Sequence, residues 1–377
     1  MTVVVAPDKF KGSATADEVA RHLAAGIRAA APGTEVVEVP VADGGEGTVD
    51  AALRQGFRAV PVRVRGPLGA PVDAVVAVRE GTAVVELAQA SGLALVEGAP
   101  DPLAATTYGT GQLVAAALDA GCRTVVLGLG GSASTDGGAG LLQALGATLL
   151  DAGGAPVPAG EGHPLVVHGL DLAGLDPRLR AVDVVVATDV DNPLLGPRGA
   201  APVFAPQKGA DPGQVGVLAE ALGRWADLLG AAAGAVPGAG VVPGANATPG
   251  AGAAGGVGFA ALAALGARVR PGVDVVLELV GLADALTGAR LVVTGEGSLD
   301  EQSAGGKAPV GVARAAVAAG VPVVAVAGRV ALGPDRLRAL GFRAAYALAD
   351  LEPDPARSMA GAPRLLREVG RRIGATL

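Results

Sequence analysis

The chain has 377 residues, enough for two domains with sizeable cores, and carries a net charge of −7. It has no basic run, which excludes nucleic acid as the expected partner, and its single cysteine, Cys122, excludes an internal disulfide and points to a reducing cytoplasm. Half of the residues are apolar but only 2% are aromatic, so the core must be Val, Leu and Ala packed between layers, with 60 Gly and 27 Pro to make tight turns.

No basic leader precedes the first strand, at residues 2–6, and no charge-free apolar run is long enough to span a membrane. That strand runs into Pro7, Asp8, Lys9, Phe10, Lys11, Gly12 and Ser13. A helix over 15–31 follows, with Thr15 and Glu18 spaced as a capping box. Two lysines and a Gly-Ser pair between a strand end and a helix start suit an anion, which backbone N–H groups and the helix dipole favour there. Residues 35–41 make a second strand, and the acidic loop Asp43, Gly44, Gly45, Glu46, Gly47 leads into a helix over 48–54. From residue 58 apolar and polar residues alternate between Gly/Pro turns, which predicts an antiparallel meander.

A helix over 109–120 and a strand over 123–128 precede the most glycine-dense turn of the chain, GLGGSASTDGGAGLLQALG at 128–146. There Gly130, Gly131, Ser132 and Ser134 offer unencumbered N–H groups and hydroxyls that would wrap phosphate oxygens. The run 182–187 then ends in Thr188, Asp189, Val190, Asp191, Asn192 and Pro193, so a strand delivers two carboxylates and an amide to its carboxyl end, where ligands of open α/β sheets sit. Spaced two apart, Asp189 and Asp191 would face the same way and repel unless a proton or cation separates them. Mg²⁺ with a phosphate is the economical answer; the plain alternative is a polar strand end before a proline turn.

Helical sequence continues to about residue 230, and the Ala/Gly/Pro/Val stretch 231–251 predicts a flexible low-complexity loop. A helix to about 265 and another over 273–280 come next, then a strand over 290–294, a turn carrying Glu296, Asp300 and Lys307, and strands near 322 and 343. Strands at 2, 35, 290, 322 and 343 make five βα units interrupted after the second. This predicts an α/β fold: a flavodoxin-like doubly wound domain of residues 1–60 with 286–377, and an inserted α/β domain with a mixed sheet at 61–285. The only lysines, Lys9, Lys11, Lys208 and Lys307, all fall in turn-rich segments, which marks each for a task needing a compact ammonium.

GLGGSA at 128–133, with Asp151 downstream, also fits a dinucleotide fingerprint, which would make an NAD-dependent oxidoreductase acting on a small hydroxy acid. A non-catalytic sensor of such an acid is the third class. Lys307 follows two glycines, but Ala308 stands where a P-loop needs Ser or Thr. His22, His163 and His168 form no triad or metal signature and read as structural, as do Cys122 and Trp225.

The blocks APDKFKGS (6–13), ADGGEGT (42–48), TYGTGQL (107–113), GLGGSASTDGGAGLLQALG (128–146), DVDNPLLGPRGA (189–200), PQKGA (206–210), PGAGAAGGVG (249–258), TGEGSLDEQS (294–303) and GKAPVGVA (306–313) closely resemble the bacterial glycerate kinase family, in family order across essentially the whole chain. Two departures are Thr135, where the family commonly has Asn, and a longer Ala/Gly/Pro stretch before 249. The resemblance implies ATP-dependent phosphorylation of D-glycerate with Mg²⁺, most often at the 2-hydroxyl. It also implies a cytoplasmic enzyme of glyoxylate and sugar-acid catabolism, a monomer or homodimer, with no membrane partner. Phosphoryl transfer asks mainly for positioning and charge neutralisation. On that expectation Asp189 orients and deprotonates the attacking hydroxyl, and Lys9 and Lys11 neutralise the phosphoryl group or the glycerate carboxylate. Gly130, Gly131, Ser132, Ser134 and Lys307 bind nucleotide, Asp43, Glu46 and Asn192 bind substrate, and Asp191, Glu296 and Asp300 hold the metal.

Overall fold

A computed structural model describes residues 1–235 and 244–377. Its strands, in chain order, are β1 (Thr2–Pro7), β2 (Glu35–Glu38), β3 (Arg58–Arg65), β4 (Pro71–Arg79), β5 (Thr82–Glu86), β6 (Thr124–Gly128), β7 (Thr148–Leu150), β8 (Gly169–Asp171), β9 (Asp183–Ala187), β10 (Arg268–Arg270), β11 (Ala289–Leu299), β12 (Val323–Val330) and β13 (Phe342–Ala347). Two compact units result, Met1–Asp43 with Val273–Leu377, and Gly44–Gly272. These divisions precede the breaks expected near 60 and 285. The helix Thr48–Arg54 packs on β4 and β5, which keeps it with the second unit. Val273 and Leu277 of the helix Gly272–Leu279 pack against Gly311, which draws that helix into the first.

The first unit carries a five-stranded, wholly parallel sheet in the order β13-β12-β11-β1-β2. Counted within the unit this is the 2-1-3-4-5 arrangement of flavodoxin-like sheets. Continuous valine runs such as Val3, Val4 and Val5, all buried, are what a sheet covered on both faces requires. β2 stops at Glu38, short of the expected end, because Pro40 has no N–H to extend the ladder, although Val39 and Val41 still donate to Val5 and Pro7 of β1. β11, in contrast, runs on through Leu299, so Glu296 stands on a strand rather than in the expected turn.

The expected capping box forms, with Thr15 and Glu18 bonding each other's backbone at the start of the helix Ala16–Ala30. Its Val19, Leu23 and Ile27 bury against the sheet together with Leu365, Leu366, Val369 and Ile373 of the helix Ala362–Gly374. The two helices approach so closely that a Cβ on Gly26 would stand 2.1 Å from the Arg367 carbonyl oxygen. Gly26→Ala is therefore expected to lower stability by about 3 kcal/mol, since backbone cannot yield as a flexible side chain does. Denaturant unfolding that returned the wild-type midpoint would refute this packing.

The second unit holds a six-stranded sheet, β10-β9-β6-β5-β4-β3, and the pair β7-β8. β3, β4 and β5 are the expected antiparallel meander, while β5, β6, β9 and β10 pair in parallel. Residues 231–235, expected in a loop, complete the helix Pro212–Ala235, and Ala245–Ala247 form a single 3-10 turn. The remainder of that expected loop, 236–243, lies outside the described residues.

Candidate functional site

In the second unit four of the glycine turns meet backbone to backbone. A Cβ on Gly128 would lie 2.5 Å from the Gly44 carbonyl oxygen, and one on Gly130 would lie 2.5 Å from Gly45 Cα. One on Gly252 would stand 2.4 Å from Pro193 O, and one on Gly255 would stand 2.2 Å from Ser134 O. Only glycine allows such approach. The acidic loop 43–47, the turn after β6, the turn after β9 and the turn 249–258 are thus locked as a set. β6 and β9 are neighbours, and just beyond them Leu129 N–H donates to Ala187 O at 3.2 Å.

Beyond Leu129 the Gly130 and Gly131 N–H groups take no acceptor among the described residues. Gly131 is exposed and left-handed, with φ +73°. Successive unpaired N–H groups in a turn make a concavity for an anion. One strand over, exposed Asp189 accepts the Gly272 N–H on Oδ1 at 2.8 Å, which sets the direction of its carboxylate. Glu46 is exposed on the acidic loop, whose helix start is held by buried Glu86: its Oε2 accepts the N–H groups of Gly47 and Val49 at 3.1 and 3.2 Å. A carboxylate at a helix N-terminus is favoured by the dipole.

Beneath the turn lies a buried polar network. Asp136 Oδ2 accepts from Thr107 N–H and Thr107 Oγ1, both at 2.7 Å, and its Oδ1 accepts from Gly138 N–H at 3.1 Å. Lys208 is buried, and its Nζ donates to Ser132 Oγ at 2.7 Å and to Ser134 O at 2.5 Å. Burial pushes the Lys208 pKa down to about 7, with Asp136 pulling the other way. Burial likewise pushes His163 down to about 4 against the pull of Asp136 and Asp101, so this imidazole is neutral near pH 7, and its Nε2 is buried without a partner. Trp225 Nε1 donates to Gly137 O at 2.9 Å. Ser134 Oγ and Thr135 Oγ1 are buried without a partner. The hydroxyls of Ser132 and Ser134 therefore turn inward, and backbone N–H groups form the outward surface of this turn.

In the first unit, charges gather at the carboxyl ends of β1 and β11. Asp8 N–H donates to Gly295 O at 2.8 Å, which places Asp8 beside the strand that carries Glu296. The Asp8 carboxyl is buried, and its Oδ1 accepts the Lys9 N–H at 2.6 Å. Burial first and the charge of Asp43 second push its pKa up to about 7, with Glu296 adding and Lys9 opposing. Glu296 is also raised, chiefly by burial, and its Oε1 is buried without a partner. Asp300 is used otherwise: its Oδ1 accepts the Gln302 and Ser303 N–H groups at the start of the helix Glu301–Ala304, and Ser298 Oγ donates to its Oδ2. Burial would raise its pKa, but those hydrogen bonds prevail and lower it.

The expected site residues thus divide. Gly130, Gly131, Glu46 and Asp189 stand on turns that pack together in one unit, while Lys9, Lys11, Asp43, Glu296, Asp300 and Lys307 belong to the other. Asp191 forms an exposed ion pair with Arg198 at 3.0 Å, and Asn192 Nδ2 donates to Arg198 O at 2.8 Å, so both brace the turn after β9. Lys307 is half-buried and directly precedes the helix Ala308–Ala318; Lys11 is exposed. Among the described residues no three His, Cys, Asp or Glu side chains are arranged as a metal-binding group. Asp8, Glu86, Asp136 and Lys208 were not among the expected site residues, although Asp8, Asp136 and Lys208 sit inside motifs that the sequence singles out.

GLGGSA does not open a helix; the chain continues through Gly138 before the helix Ala139–Ala144 starts, and Asp151 Oδ1 is taken by the N–H groups of Gly153 and Ala155. The dinucleotide alternative has no support in this geometry.

Parallel strands with glycine turns and buried acids toward their carboxyl ends mark an α/β protein built in two units. Comparison with known proteins specifies which. The family model described as "Glycerate kinase family" matches residues 3–377. A glycerate kinase of Bacillus subtilis (strain 168) is 41% identical over 352 residues, covering 92% of this chain and 90% of that protein. A glycerate 2-kinase of Escherichia coli (strain K12) is 41% identical over 337 residues, covering 87% and 85%. A crystal structure assigned as glycerate kinase 2 from Salmonella typhimurium LT2 superposes with a TM-score of 0.83 at 40% identity, covering 100% of this chain and 98% of that one. The chain belongs to the glycerate kinase family and is a kinase.

Proposed function

We propose that this kinase transfers the terminal phosphoryl group of ATP to the 2-hydroxyl of D-glycerate. The observation that carries the reading is the pairing, at the ends of neighbouring strands β6 and β9, of an anion-receiving turn at Gly130 and Gly131 with the oriented carboxylate of Asp189. Backbone N–H groups hold phosphate oxygens, and Asp189 orients the attacking hydroxyl and accepts its proton. Asp43 and Glu46 accept from the remaining substrate hydroxyls, with Asn192 bracing the turn that carries Asp189. Lys9, Lys11 and Lys307 neutralise charge on phosphate or on the glycerate carboxylate.

Mg²⁺ accompanies a triphosphate with only one or two protein carboxylates, so the lack of a three-ligand group among the described residues does not count against it. Glu296, with its unpartnered buried Oε1, fits that task best, whereas Asp300 is committed to its helix and Asp191 to Arg198. The ion, when bound, supplies charge neutralisation on the phosphates. The name glycerate 2-kinase carried by the Escherichia coli relative supports the choice of hydroxyl.

Phosphorus NMR of the product from ATP and D-glycerate tests this directly. Esterification at the 2-hydroxyl couples phosphorus to a single carbon-bound proton and gives a doublet. A triplet would assign the 3-hydroxyl, and no new phosphate ester would overturn the reading.

A further inference from the structure

A buried ammonium is expensive unless paired, and Lys208 has no carboxylate in hydrogen-bond contact. Among the described residues the charge that acts on it is that of Asp136, whose two oxygens are occupied by Thr107, Gly138 and Gly140. A methionine of the same length would fill the space without burying a charge, so retention of lysine needs another reason. Its two acceptors supply one. Ser132 Oγ and Ser134 O lie at either end of a three-residue segment directly after Gly131, 76 and 74 residues away in sequence. Gly255 closes on the same Ser134 carbonyl from its own side. Backbone hydrogen bonds from Ala133 N–H to Ser91 O and from Leu93 N–H to Gly131 O hold one side of the segment, and Ser134 Oγ and Thr135 Oγ1 make no hydrogen bond, so Lys208 is the side chain that ties its other side.

We propose that Lys208 is the positioning residue of the nucleotide turn. Its ammonium, clamped between Ser132 Oγ and Ser134 O, fixes the backbone so that the Gly130 and Gly131 N–H groups face outward for phosphate. This rests on the reading that the turn receives ATP, and it adds what holds the turn ready.

Steady-state kinetics of the full-length enzyme with ATP and D-glycerate test it. Hydrogen bonds to a charged group contribute about 1.5–3 kcal/mol, so Lys208→Met should raise the KM for ATP by about tenfold or more and leave the KM for glycerate within about twofold. A role in folding alone would lower the thermal transition without separating the two KM values. Ser132→Ala, which removes one acceptor and keeps the charge, should raise the ATP KM by about threefold, and it decides the matter should Lys208→Met fail to fold.

Gly131→Val separates the layers of the argument, since a side chain on the turn itself must raise the ATP KM wherever phosphate is held there. A rise in Gly131→Val with none in folded Lys208→Met overturns the positioning role alone. Unchanged ATP KM in Gly131→Val removes the nucleotide from this turn and the positioning role with it. An inactive wild-type chain overturns both this role and the proposed function.

Discussion

Asp189→Asn is expected to lower kcat by about a thousandfold while leaving the thermal transition unchanged, because a positioned general base contributes roughly 10²–10⁴ in rate. The substitution isolates proton acceptance from structure. Asp189 Oδ1 accepts the Gly272 N–H at 2.8 Å, and an asparagine amide oxygen accepts the same hydrogen bond. Asp189→Ala loses that bond as well and should therefore melt lower, which makes the pair of variants diagnostic. In the proposed role the carboxylate acts at the moment of proton transfer, so kcat should fall with the KM for ATP little changed. Turnover of Asp189→Asn near the wild-type rate would remove Asp189 from the base role and leave it a bond to Gly272.

What could be read before the structure, and what could not, follows from the range over which each feature is determined. The order of strands in the first unit is local information: valine runs alternate with amphipathic helices, and parallel βα units have few arrangements. The glycine turns were legible because only glycine permits the contacts seen at Gly128, Gly130 and Gly255. The buried charges were not. Lys208 meets Ser132 across 76 residues, and Glu86 reaches back 39 to Gly47, so nothing in either neighbourhood signals burial. Inward rotation of Ser132 and Ser134 has the same origin, since their surroundings come from Lys208 and from the turn at 255. Asp300 is a different case. Its spacing from Ser303 is that of a capping pair, the pattern that identified Thr15 and Glu18, and nearby acidic residues made metal binding the more conspicuous reading.

Asp8→Asn should stabilise the protein and impair it together. An aspartate ordinarily titrates near 3.8, and in the folded chain burial and the charge of Asp43 push Asp8 up to about 7. Between those values the native state binds the extra proton, so this group's contribution is full below about pH 4 and is lost as pH rises through 7. About three pH units at about 1.4 kcal/mol each give at most roughly 4 kcal/mol, with Lys9 already offsetting part. Asparagine keeps an acceptor for the Lys9 N–H, now 2.6 Å from Oδ1, and carries no charge at any pH. Without added nucleotide or metal, the variant should melt within about a degree of wild type at pH 4, where the contribution is nearly full, then increasingly above it from pH 5 onward, and several degrees higher at pH 8. A difference that stayed constant from pH 5 to pH 8, or a variant less stable at pH 8, would show that Asp8 is not held against its charge. If the reaction draws on this carboxylate at the strand's carboxyl end, kcat/KM should fall by about tenfold or more in the same variant, and an unchanged kcat/KM would leave Asp8 a structural group. Gain in melting temperature together with loss of turnover would trace both effects to the one negative charge at Asp8.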